Sequence, residues 1–394
     1  MKIVYIANTC EHVVRPLCDG LYKEYGDDFV FIETMKLDKN RAGIGCLESR
    51  PYIFNAISKV EQAKRMCADA DIVIFGGVST EYIKDRIKNN KLTIYYSERL
   101  FKKGFYRYFN PKTMLKVYKR YIKPSKNSNF HLLCASSYAA LDFNRVGAFR
   151  NKMYKWGYQI EVYEKNIDKL MLDKPSDGLE FVWVGRLVAL KHCDDAIRVI
   201  ARLKQDGYMP RLTIIGSGEE EQNLKKLTEE LGVTEYINFT GTCKIDQTRA
   251  LMDKANIFMF TSDFGEGWGA TLNECMNSAC ACVANHAAGS TNFLIEDEVD
   301  GLVYENGDLE SLYNKVKYLV ENKEYREKIA KNAYEKMINI WNPAKSYKRM
   351  IKLIEYLAKT GECTLYECGP CSRAFPIKEN WYKGKNNFAK RKNR

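Results

Sequence analysis

Residues 257–274 read IFMFTSDFGEGWGATLNE, and the pattern within them decides the fold. The apolar run 257–261 is short and rich in Phe and Ile, which predicts a strand buried on both faces. Three glycines follow, and the sequence then predicts a helix. A buried strand that leads through a loop into a helix is the building unit of a parallel sheet, so this stretch predicts an α/β fold.

The same unit recurs on both sides of this stretch. Two series of short apolar strands alternate with helical segments, which predicts two doubly wound, Rossmann-like domains that face each other across a cleft. In the second half the strands are predicted at 179–184, 211–215, 236–240 and 281–284, helices at 194–206, 219–231 and 344–359, and a pair of helices at 308–340. In the first half strands are predicted at 2–7, 29–33, 71–76, 92–97 and 130–135, with a helix at 54–68.

Polar, turn-forming residues at 173–178 separate the two halves. We therefore predict a first domain at 1–175 and a second at 176–342. A helix at 343–360 is expected to pack back on the first domain, and a basic tail with several cysteines follows at 361–394.

The composition limits the classes of protein that remain. A length of 394 residues suggests two or three domains, and 45% hydrophobic residues suffice for sizeable cores. No run reaches the ~18 uncharged apolar residues of a membrane-spanning helix, and residues 1–12 predict a first strand instead of a signal peptide. Thirteen scattered cysteines, an odd number, favour a reducing cytoplasm over a disulfide-bonded secreted protein.

The net charge of +12 is unevenly distributed along the chain. Residues 1–175 carry +12, residues 176–360 carry −5 and residues 361–394 carry +5. This asymmetry argues against a uniform nucleic-acid binder and predicts two domains with different partners.

Two carboxylates follow the strand at 257–261. Glu266 lies in a loop with Gly265, Gly267 and Gly269, and Glu274 lies eight positions later, within the helix. Glycines let a ligand approach the backbone, and the exposed amides of a helix start suit an anion. Eight residues make just over two helical turns, so both carboxylates can reach one elongated ligand. The alternative is an ordinary glycine-rich turn followed by a solvated Glu274.

A second strand-end loop, residues 184–191, has the sequence VGRLVALK. Arg186 and Lys191 are five positions apart in it, so both side chains can point at one phosphate group. Two solvated surface charges are the alternative. Residues 216–218 (GSG) form either a phosphate-binding turn or a tight loop, and residues 286–290 (HAAGS) are a fourth strand-end loop of small residues.

In order and spacing, these motifs resemble the nucleotide-sugar-binding domain of retaining glycosyltransferases of the GT-B fold, family four. The resemblance covers residues 179–340 and extends to the first half only in general architecture. It rests on VGRLVALK at 184–191, IIGSGEE at 214–220, INFTGTC at 237–243, the Glu266–Glu274 pair and AAGSTNFLI at 287–295.

The resemblance implies a role for each matching residue. Arg186 and Lys191 would hold the donor diphosphate, Glu266 would bond hydroxyls of the donor sugar, and Glu274 those of the ribose. The resemblance also implies retention at the anomeric carbon with no metal or other cofactor, because fixed cations and helix N-termini supply the positive charge. The nucleotide sugar, of the UDP, GDP or dTDP type, is expected to contact Gly185, Gly216, Gly218, Gly241, Thr242, Cys243, Gly267, Trp268, Gly269 and Ala270.

The acceptor side departs from the family pattern. Many relatives have a Gly-Gly-rich loop after the first strand, where this chain reads NTCEH at 8–12, and a His after a central strand, where this chain has Glu98. Glu98 can orient or deprotonate an acceptor hydroxyl, or it can pair with Arg99 or a nearby lysine. His12 is a second candidate, with a structural hydrogen bond as its alternative; His131 and His192 are interpreted as structural or exposed.

Residues 99–126, the basic segment, carry ten Lys and Arg, no acid and seven aromatic residues. Basic charge interleaved with aromatics is typical of contact with an anionic membrane or with nucleic acid. A solvated basic surface is the alternative. We favour the membrane and expect no nucleic-acid partner, because a lipid-linked acceptor accords with the resemblance.

These observations predict a cytoplasmic hexosyltransferase, peripheral to the inner face of the cell membrane, that acts on a lipid-linked or polysaccharide acceptor in lipopolysaccharide or capsule synthesis. A nucleotide-sugar epimerase of the GT-B fold and a non-catalytic basic binding protein are the alternatives. The Glu266–Glu274 pair and the basic segment argue against the epimerase. The presence of all four charged site residues argues against the binding protein; these are Arg186, Lys191, Glu266 and Glu274.

The tail contains three cysteines, which we interpret as ordinary thiols in a surface segment. A zinc site and a redox dithiol are the alternatives, although zinc needs four ligands and no His follows His286. Residues 383–394 are predicted to be a disordered basic end. The three cysteines are Cys363, Cys368 and Cys371.

Overall fold

Two parallel β-sheets organise the chain, one in each of two compact units. A computed structural model describes residues 1–36, 50–177, 179–360 and 365–383. Unit 1 comprises Met1–Glu161 and Ile340–Lys378, and unit 2 comprises Val162–Asn339 and the chain from Glu379 onward. The predicted α/β class with two doubly wound sheets is therefore confirmed.

Unit 1 contains a seven-stranded sheet flanked by helices. Its strands are β1 (Ile3–Ala7), β2 (Phe29–Glu33), β3 (Ile53–Asn55), β4 (Ile72–Phe75), β5 (Thr93–Ser97), β6 (Phe130–Cys134) and β7 (Met153–Lys155). They pair in parallel in the order β3-β2-β1-β4-β5-β6-β7. The helices are α1 (Arg15–Tyr25), α2 (Val60–Asp69), α3 (Lys84–Lys88), α4 (Pro111–Val117), α5 (Lys123–Ser125) and α6 (Ala139–Arg145).

The sheet of unit 1 corrects one predicted helix. Residues 54–68 were expected to be helical throughout, but Phe54 pairs with Ile32 in β3 and α2 begins only at Val60. The partly buried residues 53–54 pair with β2, and that pairing overrides the helical periodicity. β3 and β7 have three residues each, which is too short to give a clear pattern.

Unit 2 contains a six-stranded sheet with the same kind of order. Its strands are β8 (Glu180–Val184), β9 (Arg211–Ile215), β10 (Ile237–Gly241), β11 (Ile257–Phe260), β12 (Ala281–Asn285) and β13 (Leu302–Tyr304). They pair in parallel in the order β10-β9-β8-β11-β12-β13. The helices are α7 (Ile167–Leu172), α8 (Cys193–Gln205), α9 (Glu221–Glu230), α10 (Ile245–Lys254), α11 (Ala270–Asn277), α12 (Thr291–Leu294), α13 (Leu309–Glu321) and α14 (Lys323–Asn339).

Unit 2 begins before the polar turn at 173–178 that was predicted as the boundary. Leu170 of α7 packs with Ala279 and Tyr334, and Lys165 forms an ion pair with Asp253 at 2.5 Å. These contacts join residues 162–172 to unit 2, so the change of unit falls at 161/162 instead of 175/176. Residues 173–177 of this turn follow α7.

The last long helix, α15 (Pro343–Thr360), packs on α1 in unit 1. Its apolar residues recur at helical spacing, with Tyr347, Met350 and Leu353 buried in one core together with Leu17 and Leu21. A Cβ on Gly20 of α1 would lie 2.5 Å from the Tyr347 ring, so only glycine permits this close approach. The predicted return of this helix to the first domain is confirmed.

The chain after α15 extends the β7 edge of the unit 1 sheet. The Cys371 N–H donates to the Lys155 carbonyl at 2.8 Å, and the Ala374 N–H donates to the Met153 carbonyl at 3.0 Å. Cys371 is buried, whereas Cys368 is exposed. The surface-segment prediction therefore holds for Cys368 and is wrong for Cys371, whose backbone completes the sheet; Cys363 and residues 384–394 lie outside the described residues.

Candidate functional site

The strand order of unit 2 brings two loops together at a switch point. β8 and β11 are neighbours in the sheet, although the chain leaves them toward opposite edges. The loops after their carboxyl ends, residues 185–192 and 261–269, therefore open beside each other, where doubly wound folds bind ligands. Arg186 and Lys191 lie in the first loop, Glu266 lies in the second, and Glu274 lies in α11, which follows it.

Lys191 and Glu266 form a direct ion pair across this switch point. Their side chains are only 13% and 14% exposed, so water screens the pair weakly. The Lys191 carbonyl accepts from the Thr261 hydroxyl at 2.6 Å, and the Glu266 N–H donates to the Asp263 carbonyl at 3.0 Å. Because both ions are shielded, loss of either one leaves an uncompensated charge at the site.

Arg186 lies in the same loop as Lys191 but is exposed. Within the described parts of the chain, its side chain makes no ion pair and no hydrogen bond. The loop therefore presents one cation that Glu266 holds in position and one that extends into solvent.

Glu274 lies beside an arginine that the sequence analysis missed. The Arg249 guanidinium of α10 is 3.6 Å from the Glu274 carboxylate and donates to the Glu274 carbonyl oxygen at 3.2 Å. Arg249 is 6% exposed and lies over the Tyr163 ring, 5.2 Å from its centroid. These contacts fix the orientation of Glu274. No spacing signalled Arg249, because it is one basic residue on a helix remote in sequence.

The glycines after β9 pack against the loop that carries Arg186 and Lys191. A Cβ on Gly216 would lie 1.9 Å from the Gly185 carbonyl oxygen, and one on Gly218 would lie 2.2 Å from that of Leu187. Gly216 also has a φ of +134°, a backbone conformation that favours glycine. The tight-loop interpretation of residues 216–218 is therefore sufficient to explain both glycines.

Thr242 and Cys243, which are expected to contact the nucleotide sugar, follow β10 and lie beside the turn after β9. The Thr242 hydroxyl is 2.9 Å from the Ser217 hydroxyl, and the Cys243 thiol donates to the Thr240 hydroxyl at 3.5 Å. These bonds hold Thr242 and Cys243 next to residues 216–218, at the same end of the sheet as the charged loops.

Trp268 is the one predicted contact residue whose side chain belongs to the core. It is fully buried, and its indole N–H donates to the Asn273 side-chain carbonyl at 2.9 Å. Gly269 has a φ of +88°, and a Cβ there would lie 2.2 Å from the Phe260 ring, so α11 can begin here only after glycine. The indole is therefore closed to a ligand; Gly267 and Gly269 are buried as well, and Ala270 is partly exposed.

His192 and Asp263 join the two loops a second time. The His192 Nε2 is 3.2 Å from the Asp263 carboxylate, which also accepts from the Gly265 N–H at 2.7 Å. The bond to Asp263 raises the pKa of His192 above its usual value. Burial alone would raise the pKa of Asp263, but the bonds from His192 and the Gly265 N–H lower it. His192 was interpreted as structural or exposed, and the structure assigns it a partner in the glycine-rich loop.

In unit 1, Glu98 follows β5 and has two partners. The Tyr158 hydroxyl donates to its Oε1 at 2.6 Å, and Lys102 forms an ion pair with it. Arg99 is instead buried and bonds the Asp142 carboxylate through two contacts of 3.2 Å. The ion-pair alternative for Glu98 therefore applies with Lys102 as the partner. His12 is exposed in the loop after β1.

The basic segment combines exposed cations with exposed apolar side chains. Tyr106 and Phe109 are each 67% exposed, and Leu115 is 53% exposed. Most of its lysines are exposed too, including Lys103, Lys112, Lys116 and Lys119. Some of its residues face inward instead: Phe101 and Tyr121 are buried, and Arg120 donates to the Val78 carbonyl at 2.8 Å.

The described residues contain neither a cluster of metal ligands nor a helix that could span a membrane. No group of three or more His, Cys, Asp and Glu suited to hold a metal ion occurs in this part of the chain. Two carboxylates that are close in sequence, those of Asp69 and Asp71, precede β4. The Asp71 carboxylate accepts a hydrogen bond from the Lys2 N–H at 2.8 Å. Among the same residues, none of the helices has the length and apolar character needed to cross a membrane.

Comparison with protein families identifies the domain that carries this site. Residues 164–336 match the family described as Glycosyl transferases group 1. Among curated proteins, the chain is 28% identical over 172 residues to the lipopolysaccharide core biosynthesis glycosyltransferase LpsE of Rhizobium meliloti, a match covering 44% of this chain and 48% of that protein. It is 24% identical over 172 residues to the poly(glycerol-phosphate) alpha-glucosyltransferase of Bacillus subtilis, covering 44% and 25%. The chain thus spans about half or less of the length of these curated relatives.

Comparison with solved structures covers more of the chain. Anabaena Alr3699/HepE in complex with UDP matches with a TM-score of 0.66 at 16% identity, covering 91% of this chain and all of that one. WaaG, a glycosyltransferase involved in lipopolysaccharide biosynthesis, matches with a TM-score of 0.60 at 13% identity, covering 88% and 98%. The GT-B type of fold and the resemblance to group 1 glycosyltransferases over the second domain are therefore confirmed.

Proposed function

We propose that the protein, whose residues 164–336 match the family described as Glycosyl transferases group 1, transfers a sugar from a nucleotide-sugar donor to a lipid-linked or polysaccharide acceptor. The transfer retains the anomeric configuration and uses no metal. The donor is a UDP, GDP or dTDP sugar. Relatives named for the synthesis of lipopolysaccharide core and of poly(glycerol phosphate) glucosides support this class of acceptor.

The observation that carries the proposal is the contact of Lys191 with Glu266 at the switch point of unit 2. A donor needs positive charge at its diphosphate and acceptors for its sugar hydroxyls, and this contact supplies both within one hydrogen-bond length. Arg186, in the same loop, adds a second cation with a planar fork that suits phosphate oxygens.

The other proposed contacts of the donor are with its ribose, its sugar and its phosphates. Glu274, oriented by Arg249 at 3.6 Å, accepts from the ribose hydroxyls. Glu266 accepts from hydroxyls of the sugar, and Lys191 then divides its charge between this carboxylate and the diphosphate. The amides at the start of α11 add partial positive charge near the phosphates.

Transfer proceeds by attack of an acceptor hydroxyl on the anomeric carbon. The hydroxyl approaches the face of the donor sugar from which the diphosphate leaves. The bond from the anomeric carbon to the diphosphate oxygen breaks, and Arg186 and Lys191 stabilise the charge that develops on the leaving group. The hydroxyl proton passes to the departing phosphate or to a carboxylate on the acceptor side, for which Glu98 is our candidate.

The acceptor side is also proposed to contact an anionic membrane through the basic segment. Its exposed Tyr106, Phe109 and Leu115 lie among exposed lysines, an arrangement that combines interfacial burial with attraction to anionic lipids. The protein would then act at the cytoplasmic face of the membrane, where a lipid-linked acceptor is available.

The proposal is tested by incubating the protein with labelled nucleotide sugars, with and without a lipid extract that contains polyprenyl-linked saccharides. We expect label to enter the lipid fraction with one donor, and the anomeric coupling of the product to match that of the donor. Release or isomerisation of the sugar at the same rate without extract would instead support an epimerase. Transfer that depends on an added divalent cation would overturn metal independence.

A further inference from the structure

A short C-terminal segment lies on unit 2 and touches the end of β12. The chain runs through unit 1 from Ile340 to Lys378 and rejoins unit 2 at Glu379. There the Glu379 carbonyl lies 3.0 Å from the His286 Nε2, and the Trp381 and Tyr382 rings each lie 6.1 Å from the imidazole. We call residues 379–382 the strap.

The hydrogen bonds of His286 fix its tautomer. Its Nδ1 accepts from the Asn306 N–H at 3.0 Å, so the proton of the neutral ring is on Nε2. Nε2 therefore donates to the Glu379 carbonyl, and the ring links the sheet directly to the strap. Burial lowers the pKa of His286, which keeps the imidazole neutral.

Tyr382 anchors the other end of the strap. It is 1% exposed, and its hydroxyl donates to the Asp297 carboxylate at 3.0 Å. The Lys315 ammonium lies 6.0 Å from the centre of its ring. A buried tyrosine with a satisfied hydroxyl is a stable attachment, so the strap is part of the folded unit and not a loose end.

His286 also contacts the glycine-rich loop. The Phe264 ring packs against the imidazole at 5.6 Å with the two planes perpendicular. Phe264 is two residues before Glu266, whose carbonyl accepts from the Gly289 N–H at 3.3 Å in the loop after β12. A continuous set of contacts therefore runs from the strap through His286 and Phe264 to Glu266.

We propose that the strap is part of the donor site, and that it acts through His286 to hold the loop 263–269 in the conformation that places Glu266 beside Lys191. His286 and Phe264 are positioning residues in this arrangement. The inference rests on the proposed function, because it deepens the account of the same site.

The composition of the loop explains why it needs such support. Gly265, Gly267 and Gly269 give it many accessible conformations, and each must be restrained for Glu266 to meet a sugar hydroxyl within a few tenths of an ångström. Phe264 is the aromatic residue of this loop that lies outside the core, so its contact with His286 is one restraint on the loop, beside the bond from the Gly289 N–H to the Glu266 carbonyl.

The test compares two truncations of the full chain. One ends at Lys378 and lacks the strap, and the matched control ends at Lys383 and lacks only residues 384–394. Hydrogen exchange is followed at the amides of Gly265, Glu266 and Gly289, whose bonds depend on the loop conformation. We expect several-fold faster exchange there without the strap than in the control, with unchanged protection in β11. Equal exchange in the two truncations overturns the proposal.

Steady-state kinetics distinguish a positioning role of the strap from a purely structural one. Without the strap, turnover is expected to fall while the affinity for the nucleoside diphosphate stays near that of the control, because Arg186, Lys191 and Glu274 remain. Equal losses of turnover and affinity contradict the positioning role. Exchange is measured without substrate, so failure of the strap and failure of the proposed transfer are separate results.

Two point variants cover the case in which the shorter chain does not fold. Tyr382→Phe removes only the bond to Asp297, and His286→Phe removes the bonds to Glu379 and Asn306 while keeping an aromatic ring. We expect faster exchange at Glu266 in the His286 variant and a smaller change in the Tyr382 variant. No change in either variant overturns the proposal.

Discussion

The two charged loops of unit 2 and the basic segment of unit 1 both concentrate charge, but they hold it in opposite ways. Lys191 pairs with Glu266, and Arg249 with Glu274, each pair with side chains at most 15% exposed. The lysines of the basic segment are exposed and have exposed aromatic neighbours. Shielded pairs hold fixed positions and suit one ligand geometry, whereas exposed like charges act through their sum and are screened by salt.

The largest expected effect is at the shielded pair. Glu266→Ala should reduce turnover by about 10²-fold, equivalent to about 3 kcal/mol, because its bonds to the sugar tighten in the transition state and Lys191 loses its partner. Steady-state kinetics with the identified donor measure this change, and circular dichroism confirms the fold. Glu221→Ala, which removes a partly exposed ion pair with Lys225 on α9, is the control and should keep normal turnover. Wild-type turnover in Glu266→Ala would remove the pair from the mechanism.

The second effect tests the exposed charges. Replacing Lys103, Arg107, Lys112, Lys116 and Lys119 by Gln should lower binding to anionic liposomes by more than about tenfold, since each cation contributes up to about 1 kcal/mol at such a surface. Sedimentation at low and high salt measures the binding. Activity on a short soluble acceptor should persist, because the donor residues lie in unit 2.

The control for that experiment has the same charge change elsewhere in unit 1. Replacing Lys2, Lys23, Lys59, Lys84 and Lys88 by Gln removes five positive charges outside the basic segment. Equal liposome binding by the two variants would mean that net charge alone is responsible. A preference of the wild type for single-stranded nucleic acid over lipid would contradict the membrane proposal.

The third effect concerns the two cations of the loop 185–192 and distinguishes binding of the diphosphate from binding of the nucleoside. Arg186→Ala and Lys191→Ala should each weaken nucleoside diphosphate binding by about tenfold while leaving the parent nucleoside unaffected, because both cations are proposed to face the diphosphate. Calorimetry with the two ligands measures the difference. Parallel losses for diphosphate and nucleoside would show that the variants act on folding or on the base side.

The smallest effect concerns the bond between His192 and Asp263. A His with a raised pKa adds stability that is present at low pH and is lost as pH rises through its folded pKa; an Asp with a lowered pKa adds stability that is lost as pH falls through its own. Asp263 and His192 are therefore both charged at pH values between the folded pKa of Asp263 and that of His192. His192→Gln should lower the melting temperature slightly at about pH 6 and less at about pH 9. An equal decrease at both pH values would exclude the ion pair.

The strand-end motifs were predictable because they combine two local signals, a short apolar run and a glycine-rich or charged loop. The resemblance to the family assigned Glu266 and Lys191 to one site, and the strand order of the structure explains why: both follow neighbouring strands at a switch point. Arg249, His192 and the strap were not predictable, because each acts through a contact between residues distant in sequence. The same reason explains Cys371, whose burial depends on backbone pairing with β7.

The central claim is that the switch point of unit 2 binds a nucleoside diphosphate through its paired charges. The most direct measurement is a thermal-shift panel of UDP, GDP and dTDP on the wild type and on Glu274→Ala. A ligand that binds only the folded state raises the melting temperature in proportion to its affinity. We predict a saturable increase with one of the three nucleotides and a much smaller increase for the variant. An absence of any shift, or an equal shift in both proteins, would contradict the account.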